Sequence, residues 1–221
     1  MFDLRTPILK YNMGYNDKQV QIMEMAEVLF AEKGFNGTSV RDIAEKAHVN
    51  LAMISYYFGS KDKLLESLFD YRGEHLKLKL ESMIEDKTLS SFEKLDLLID
   101  HYLEKIMNQQ CFSRIMVREQ VVNHTGITAE LITQMKKRNQ ELISKLIHQG
   151  QKRGEFKRNI DIPLMMATMV GTAGHIIATQ HYYKEINNLQ SMSDEEFQKH
   201  IKKKLSQHLK RLFKAILTNE E

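Results

Sequence analysis

Side chains that can donate hydrogen bonds to phosphate oxygens are concentrated in one short segment, Ser55–Lys61. Ser55, Tyr56, Tyr57 and Lys61 come together there, at the end of a predicted helix. Hydroxyl and ammonium groups are frequent donors to the phosphates of nucleic acids. Tyrosines that lie outside a core also indicate a polar partner for their hydroxyl groups. The segment therefore predicts a surface that binds phosphate groups.

The sequence offers little for catalysis or metal binding. It contains nine histidines, but no His-Glu-x-x-His helix and no nucleophile-elbow motif. Its single cysteine, Cys111, excludes a disulfide framework and a cysteine-based zinc site. Met165, Met166 and Met169 lie beside glycines and indicate packing rather than a cofactor site. We predict no metal, no cofactor and no enzymatic activity, with a helical enzyme lacking known motifs as the remote alternative.

Composition predicts a globular, all-α protein. The 221 residues are 42% hydrophobic and 28% charged, with a formal net charge of +3. Only two prolines occur, and no long stretch alternates polar and apolar residues, so we expect about nine helices. The N-terminus lacks the apolar region of a signal peptide, and the most apolar stretch, 162–178, is short for a membrane span. These features favour a cytoplasmic protein without a membrane partner.

The segment Thr38–Ile54 has the pattern of two short helices joined by a tight turn. Ala44 provides the small side chain that crossing helices need, and apolar residues on both sides of it point to a shared core. His48 occupies the turn position that requires a positive φ, where histidine is among the tolerated residues. Asn50 can cap the second helix. The segment is predicted to be a helix-turn-helix, whose second helix reads the major groove of DNA; a plain helical hairpin is the structural alternative.

Capping signals place the remaining helices. Gly34 should end the first helix, and Ser60 should cap the helix that follows the helix-turn-helix. The spacings Ser90–Glu93 and Ser193–Glu196 match capping boxes. Asp161 and Pro163 form a helix start, and we expect that helix to continue to about Lys184.

Three motifs in this order resemble the N-terminal domain of TetR/AcrR-type transcriptional regulators. They are Phe30-Ala31-Glu32-Lys33-Gly34-Phe35, then Thr38-Ser39-Val40-Arg41-Asp42-Ile43-Ala44, then Tyr56-Tyr57-Phe58-Gly59-Ser60-Lys61-Asp62-Lys63-Leu64. The match is specific over roughly residues 18–70. Residues 1–15 show no periodicity and are predicted to form an N-terminal arm. The resemblance implies a three-helix DNA-binding domain at 16–62 and an effector-binding and dimerisation domain at 63–221.

The resemblance also assigns roles to residues of the DNA-binding domain. Thr38, Ser39 and Arg41 are implied to hold the DNA backbone, together with Tyr56 and Lys61. Leu51, Ala52 and Ser55 would face the bases from the recognition helix, whose cap is Asn50, and Tyr57 fits either a phosphate contact or the motif core. Residues 16–62 contain five basic and seven acidic side chains, so binding depends on where the charges lie, and Arg5 and Lys10 of the arm could add to it.

A palindromic DNA operator, a second copy of the chain and a small apolar effector are the implied partners. The expected function is that of a repressor released by the effector; a DNA-binding protein without an effector is the alternative. Candidate residues lining the effector cavity are Tyr71, Tyr102, Ile106, Met116, Gln120, Met135, Asn139 and His175. For most of them, a place in a sealed core is the alternative. Methionine and aromatic side chains suit an adaptable apolar pocket.

The last two long helices are predicted to form the dimer interface. The helix after Pro163 is apolar on more than one side, so a single chain cannot cover all of it. Gly171 and Gly174 would allow a partner helix to approach closely. In the last helix, Leu205, Leu209, Leu212 and Ile216 form an apolar stripe that Phe213 and Leu217 widen. The basic residues between 199 and 214 are interpreted as a solvated helix face.

Overall fold

A computed structural model of the protein describes residues 14–122 and 125–218, and every regular element in these two ranges is a helix. This confirms the predicted all-α fold, with ten helices where about nine were expected. They are α1 (Asp17–Lys33), α2 (Val40–Lys46), α3 (Leu51–Phe58), α4 (Lys61–Glu85), α5 (Ser91–Asn108), α6 (Gln110–Val122), α7 (Ile127–Lys152), α8 (Ile162–Ala178), α9 (Gln180–Ile186) and α10 (Asp194–Leu217). Most of the predicted arm, with Arg5 and Lys10, lies outside the described residues.

Local capping interactions set the helix ends where the sequence predicted them. Gly34 ends α1 with a φ of 80°, and its amide donates to the Phe30 carbonyl. The Asp161 side chain accepts from the amide of Leu164 at the start of α8. Ser193 and Glu196 form the predicted capping box of α10. These bonds satisfy backbone groups that have no partner within the helix itself.

The helix after Pro163 is shorter than predicted, and the expected continuation to about Lys184 was wrong. It ends at Ala178, and α9 begins at Gln180 after a non-helical Thr179 with φ −108° and ψ 28°. The Thr179 hydroxyl donates to the His175 carbonyl at 2.8 Å, as does the Thr179 amide at 2.9 Å. A threonine hydroxyl that bonds the carbonyl four residues earlier competes with helix geometry and bends the chain.

The chain divides into two compact units. The first contains the described residues up to Leu78 together with Gln109–Arg138, and so combines α1–α3 and most of α4 with α6 and the first half of α7. Its core is a continuous cluster of buried apolar side chains from these helices, among them Ile22, Phe30, Ile54, Leu65 and Phe112. The predicted boundary between the DNA-binding domain and the effector-binding domain, at residues 62 and 63, divides the chain by function and not by compactness. It stays a prediction.

The second unit contains Lys79–Asn108 and the described residues from Asn139 onwards, where α5, α8 and α10 pack against one another. Along α10, the residues buried within the unit are Phe197, Ile201, Leu205, Leu209, Phe213 and Leu217. Leu212 and Ile216, which the sequence placed in the main stripe, are only half-buried. On α8, Met165, Met169 and Ala173 are buried, whereas Leu164 and Val170 are exposed. Part of the apolar surface of α8 is therefore uncovered in the single chain.

No single helix in ranges 14–122 and 125–218 is long and apolar enough to cross a membrane. Helices α8 and α9 together pass the test of length and composition, but they are bent by 77° at their junction.

Candidate DNA-binding surface

The turn between α2 and α3 has the geometry that the sequence predicted. His48 adopts a φ of 51°, a conformation in which few residues other than glycine are comfortable. Asn50 caps α3, because its side-chain oxygen accepts from the amide of Ala52 at 2.9 Å. From α1, the Gln21 side chain donates to the Ala47 carbonyl at 2.8 Å. The turn is thus attached to α1 as well as to its own two helices.

Helix α3 has one buried side and one exposed side. Ile54 and Phe58 are buried in the core of the first unit. Leu51, Ala52, Ser55 and Tyr56 are exposed, and Tyr56 is 83% accessible. The residues predicted to face DNA bases therefore share the solvent side of this helix with Tyr56. Their types fit groove contacts, since an alanine can touch a thymine methyl and a serine hydroxyl can bond a base edge.

Tyr57 lies between the two sides of α3. It is half-buried and packs against the core cluster. Its ring centroid is 5.1 Å from that of Tyr56 and 6.4 Å from that of Phe58. This position favours the second of the two predicted roles, closure of the motif core, and it also supports the exposed ring of Tyr56.

The start of α2 is a capping box that the sequence interpretation did not include. The Ser39 side chain accepts from the Asp42 amide, and the Asp42 carboxylate accepts from the Ser39 amide at 2.8 Å and from the Ser39 hydroxyl at 2.7 Å. The backbone amide and then the hydroxyl of Ser39 lower the pKa of Asp42 below its usual 3.8. Ser-x-x-Asp spacing before an apolar residue is the signal that could have revealed it. Arg41 is exposed one residue before Asp42.

Thr38 and Lys61, both predicted to bind phosphates, make contacts with the turn between α1 and α2. Thr38 is 1% exposed, and its hydroxyl donates to the Gly34 carbonyl at 2.8 Å. The Lys61 ammonium donates to the carbonyls of Phe35 and Thr38 at 2.9 and 3.0 Å and lies 4.2 Å from the Phe35 ring centroid. These contacts position the turn, and the phosphate contacts of both residues stay predictions.

A buried ion pair joins α1 to α4 within the same unit. The Arg72 guanidinium contacts the Glu27 carboxylate at 2.6 and 2.7 Å, and both side chains are nearly inaccessible to solvent. Burial raises the pKa of Glu24, one turn earlier on α1, and the positive charge of Arg72 opposes this effect. Since a buried charge is tolerated only with a partner, this pair fixes the register of α4 against the first helix of the DNA-binding part.

The eight predicted effector residues are divided between the two units. Tyr71, Met116, Gln120 and Met135 belong to the first unit, and all but Gln120 pack against its core cluster. Gln120 is exposed, and its side chain accepts from Lys136. The other four predicted residues, Tyr102, Ile106, Asn139 and His175, belong to the second unit.

Asn139 and Tyr102, which both belong to the second unit, have buried polar side-chain groups. The Asn139 side-chain oxygen is buried and has no hydrogen-bond partner among the described residues. Burial raises the pKa of the Tyr102 hydroxyl well above its usual 10. His175 is exposed on α8. Buried polar atoms without a partner are rare and call for an explanation, and a bound molecule is one.

Two open clefts lie elsewhere on the units. One, of about 450 Å³, is lined in the second unit by Ile84, Glu85, Asp86, Lys87, Gln149, Lys152 and Arg153. The other, of about 250 Å³, is lined in the first unit by Glu66, Asp70, Ile127, Glu130, Leu131 and Gln134. Neither contains a predicted effector residue. In the part of the chain that the structure describes, no three His, Cys, Asp or Glu side chains are placed to hold a metal ion.

Two family models match the chain. Residues 22–68 match the model of bacterial regulatory proteins of the tetR family. Residues 92–207 match a tetracyclin repressor-like C-terminal domain. The first match contains all the exposed α3 residues described above, and the second covers more than half of the chain.

Relatives of the chain are named as regulators of the helix-turn-helix type. YttP of Bacillus subtilis, a probable HTH-type transcriptional regulator, is 36% identical over 137 residues, which are 62% of this chain and 66% of that protein. The HTH-type transcriptional repressor KstR2 of Rhodococcus jostii is 26% identical over 163 residues, 72% of this chain and 78% of the relative.

Solved structures share the fold. FadR of Bacillus subtilis in complex with stearoyl-CoA has a TM-score of 0.63 at 22% identity, over 86% of this chain and 96% of that one. The ketosteroid regulator KstR2 of Mycobacterium tuberculosis has a TM-score of 0.66 at 21% identity, over 93% of this chain and 97% of that one. At this level of identity the likeness establishes the architecture alone.

Proposed function

Because this chain belongs to the TetR family of bacterial regulatory proteins, we propose that it is a transcriptional repressor that binds a palindromic operator as a homodimer and is released by a small apolar ligand. Relatives along most of its length are named as transcriptional regulators and repressors. The family assignment supports the DNA-binding role. The exposed side of α3, the uncovered apolar surface of α8 and the buried side-chain oxygen of Asn139 support the operator, the homodimer and the ligand, respectively.

The exposed side of α3 is the observation that carries the proposal. Leu51, Ala52, Ser55 and Tyr56 face solvent on a helix that is capped at its start and anchored by buried Ile54 and Phe58. A helix held in this way can enter a major groove without rearrangement of its own packing. Ser39 and Arg41 at the start of α2 would contact the backbone beside it.

Selection of duplexes from a random pool tests DNA binding directly. The wild-type protein should enrich a palindrome whose half-sites are centred about 34–36 Å, or a multiple of one helical turn, apart. Ser55→Ala should then change the base preference, whereas Tyr56→Phe should weaken binding to every sequence, because it removes a phosphate donor.

Tyr182→Phe is the matched control for Tyr56→Phe. Tyr182 is an equally polar and largely exposed tyrosine, 63% accessible, but it lies on α9. The control should bind the operator like wild type. Absence of any enriched sequence, or equal losses for the two tyrosine variants, would contradict the assignment of α3 as the recognition helix.

The uncovered apolar surface of α8 supports the homodimer. Leu164 and Val170 are exposed there, and Gly171 is exposed beside them. On α10, Leu212 and Ile216 remain half-exposed after the rest of the stripe is buried. A symmetric dimer buries the same surface on both partners, and the two helices with their copies would form such an interface.

Gly174→Glu tests this interface without disturbing the packing of the single chain. A Cβ at Gly174 has no atom within 4 Å, so the side chain has room unless a second copy occupies the space. Light scattering should give wild type twice the chain mass of 25.9 kDa, and the variant should shift to the monomer. Gly174→Ala, which adds only a methyl group, should remain dimeric; a monomeric wild type at micromolar concentration would refute the dimer.

A ligand that releases the operator must bind the conformation with low DNA affinity more tightly than the conformation with high DNA affinity. The buried side-chain oxygen of Asn139, without a partner among the described residues, supports a ligand contact there. Stearoyl-CoA, whose stearoyl chain is apolar although its CoA part is charged, is the first probe, since a FadR of the same fold is known in complex with it.

Addition of stearoyl-CoA should raise the operator dissociation constant of wild type. Asn139→Ala should require more of the ligand for the same release, with unchanged operator affinity in its absence. If neither this probe nor a library of apolar compounds changes operator affinity, the alternative of a DNA-binding protein without an effector is favoured.

A further inference from the structure

We propose that Arg118 of α6 is a positioning residue for DNA binding: it ties α6 to the C-terminal end of α1 and so sets the turn from which the helix-turn-helix starts. Its guanidinium donates to the carbonyls of Glu32 at 3.0 Å and of Lys33 at 3.3 Å. The two ends of this tie are 86 and 85 residues apart in sequence, and both belong to the first unit. The inference rests on the proposed DNA-binding function.

The end of α1 leaves carbonyls that the helix cannot satisfy, as every helix end does. The Phe30 carbonyl accepts from the Gly34 amide, and the Leu29 carbonyl lies 3.3 Å from the Thr38 hydroxyl. Those of Glu32 and Lys33 are taken by Arg118. A cation at this end is also favoured by the helix dipole, so Arg118 supplies both hydrogen bonds and a favourable charge to the C-terminal end of α1.

Gly34 has the space that this contact needs. Its φ of 80° suits a helix-ending glycine, and a Cβ built there would lie 3.2 Å from the guanidinium carbon of Arg118. A side chain at position 34 would therefore be strained in its backbone and crowd the guanidinium. The absence of a side chain at Gly34 therefore allows the guanidinium of Arg118 to approach the end of α1 closely.

The same turn is held on its other side by Lys61, which donates to the carbonyls of Phe35 and Thr38. Ser39, the cap of α2, follows immediately. Arg118 therefore binds the end of α1, and Lys61 binds the turn that follows it and leads into α2. Helix α6 also carries Met116 and Gln120, two predicted effector residues, so a shift of α6 would reach the DNA-binding part through Arg118.

The test compares Arg118→Met with Arg114→Met on the selected operator. Both variants lose one positive charge from α6, but Arg114 is exposed, and the contact of its side chain is with the Cys111 sulfur at 3.9 Å. Loss of two hydrogen bonds that hold the turn should weaken operator binding by about tenfold in Arg118→Met. The dependence of affinity on salt should keep the wild-type slope, because Arg118 does not contact phosphate.

Arg118→Lys should restore part of the affinity, because an ammonium can donate to one of the two carbonyls. Equal losses in Arg118→Met and Arg114→Met would assign the effect to net charge and overturn the proposal. Wild-type operator affinity in Arg118→Met would also overturn the proposal. A weaker salt dependence of affinity in this variant would do the same, because it would make Arg118 a phosphate contact.

Hydrogen exchange without DNA separates this proposal from the proposed function. Peptides covering residues 34–40 should exchange faster in Arg118→Met than in wild type or Arg114→Met, with α10 unchanged as the internal reference. Unchanged exchange in this turn refutes the tie whether or not the protein binds DNA. Faster exchange in a protein that selects no duplex would keep the tie and reject the DNA-binding function.

Discussion

Replacing Arg72 by methionine should destabilise the first unit by about 3–5 kcal/mol, the usual cost of leaving one partner of a buried ion pair alone. The burial and short distances of this pair favour a loss of stability near the upper end of that range. Its side chains are 7% and 4% exposed, and the guanidinium contacts the Glu27 carboxylate through two nitrogens at 2.6 and 2.7 Å. Without Arg72 the nearby carboxyl of Glu24, whose pKa burial already raises, also loses an attractive charge.

Thermal unfolding followed by circular dichroism measures this effect. For a chain of this size, each kcal/mol lowers Tm by roughly 2–4 °C, so Arg72→Met should melt about 6–20 °C below wild type. The comparison requires equal protein concentrations, because association contributes to apparent stability. Glu27→Leu combined with Arg72→Met should recover most of the loss, since an apolar pair of similar volume carries no desolvation penalty.

Lys63→Met is the matched control. Lys63 forms an ion pair with Glu66 on the same helix, also at 2.6 Å, but its side chain is 65% exposed. An exposed pair contributes little to stability, so this variant should melt near wild type. Equal melting temperatures for Arg72→Met and wild type, or a double variant as unstable as Arg72→Met, would refute the reasoning from burial.

Three further predictions follow from local geometry. Gly150→Ala should destabilise the second unit by about 1–3 kcal/mol, because a Cβ there would lie 2.2 Å from the buried Phe156 ring; an unchanged melting temperature would contradict this. Lys94→Met should cost about 1–3 kcal/mol, because the buried ammonium donates to the Ile84 carbonyl at 2.9 Å, and denaturant titration measures the loss. Asp42 has a pKa below its usual 3.8, so its contribution is present above that value and lost as the pH falls through the lower, folded-state pKa. The melting temperatures of wild type and Asp42→Asn should therefore differ at neutral pH and converge in acid; a constant difference would contradict the role of the carboxylate.

Much of the helix-turn-helix could be predicted from the sequence because its determinants are local. The positive φ of His48 and the cap by Asn50 depend on residues within two or three positions of each other. The same holds for the end of α1 at Gly34 and the start of α10 at Ser193. The exposed side of α3 was implied by the resemblance of these motifs to TetR/AcrR-type regulators, and its residues do face solvent. Local hydrogen bonds and steric limits on φ act within one turn of chain, so a sequence pattern contains them.

Other features depended on partners far away along the chain. Periodicity alone could not decide that Phe213 rather than Leu212 would be buried in α10, since each fits an apolar stripe. Neither the Arg72–Glu27 pair nor the Arg118 tie has a sequence signal, because an isolated arginine on a helix most often faces solvent. Only the packing of α1 against α4 and α6 buried the Arg72–Glu27 pair and brought the Glu32 and Lys33 carbonyls within reach of the half-buried Arg118. Tertiary structure decided these contacts because both depend on which distant residues meet, and a buried charge such as that of Arg72 is tolerated only beside a partner that the fold supplies.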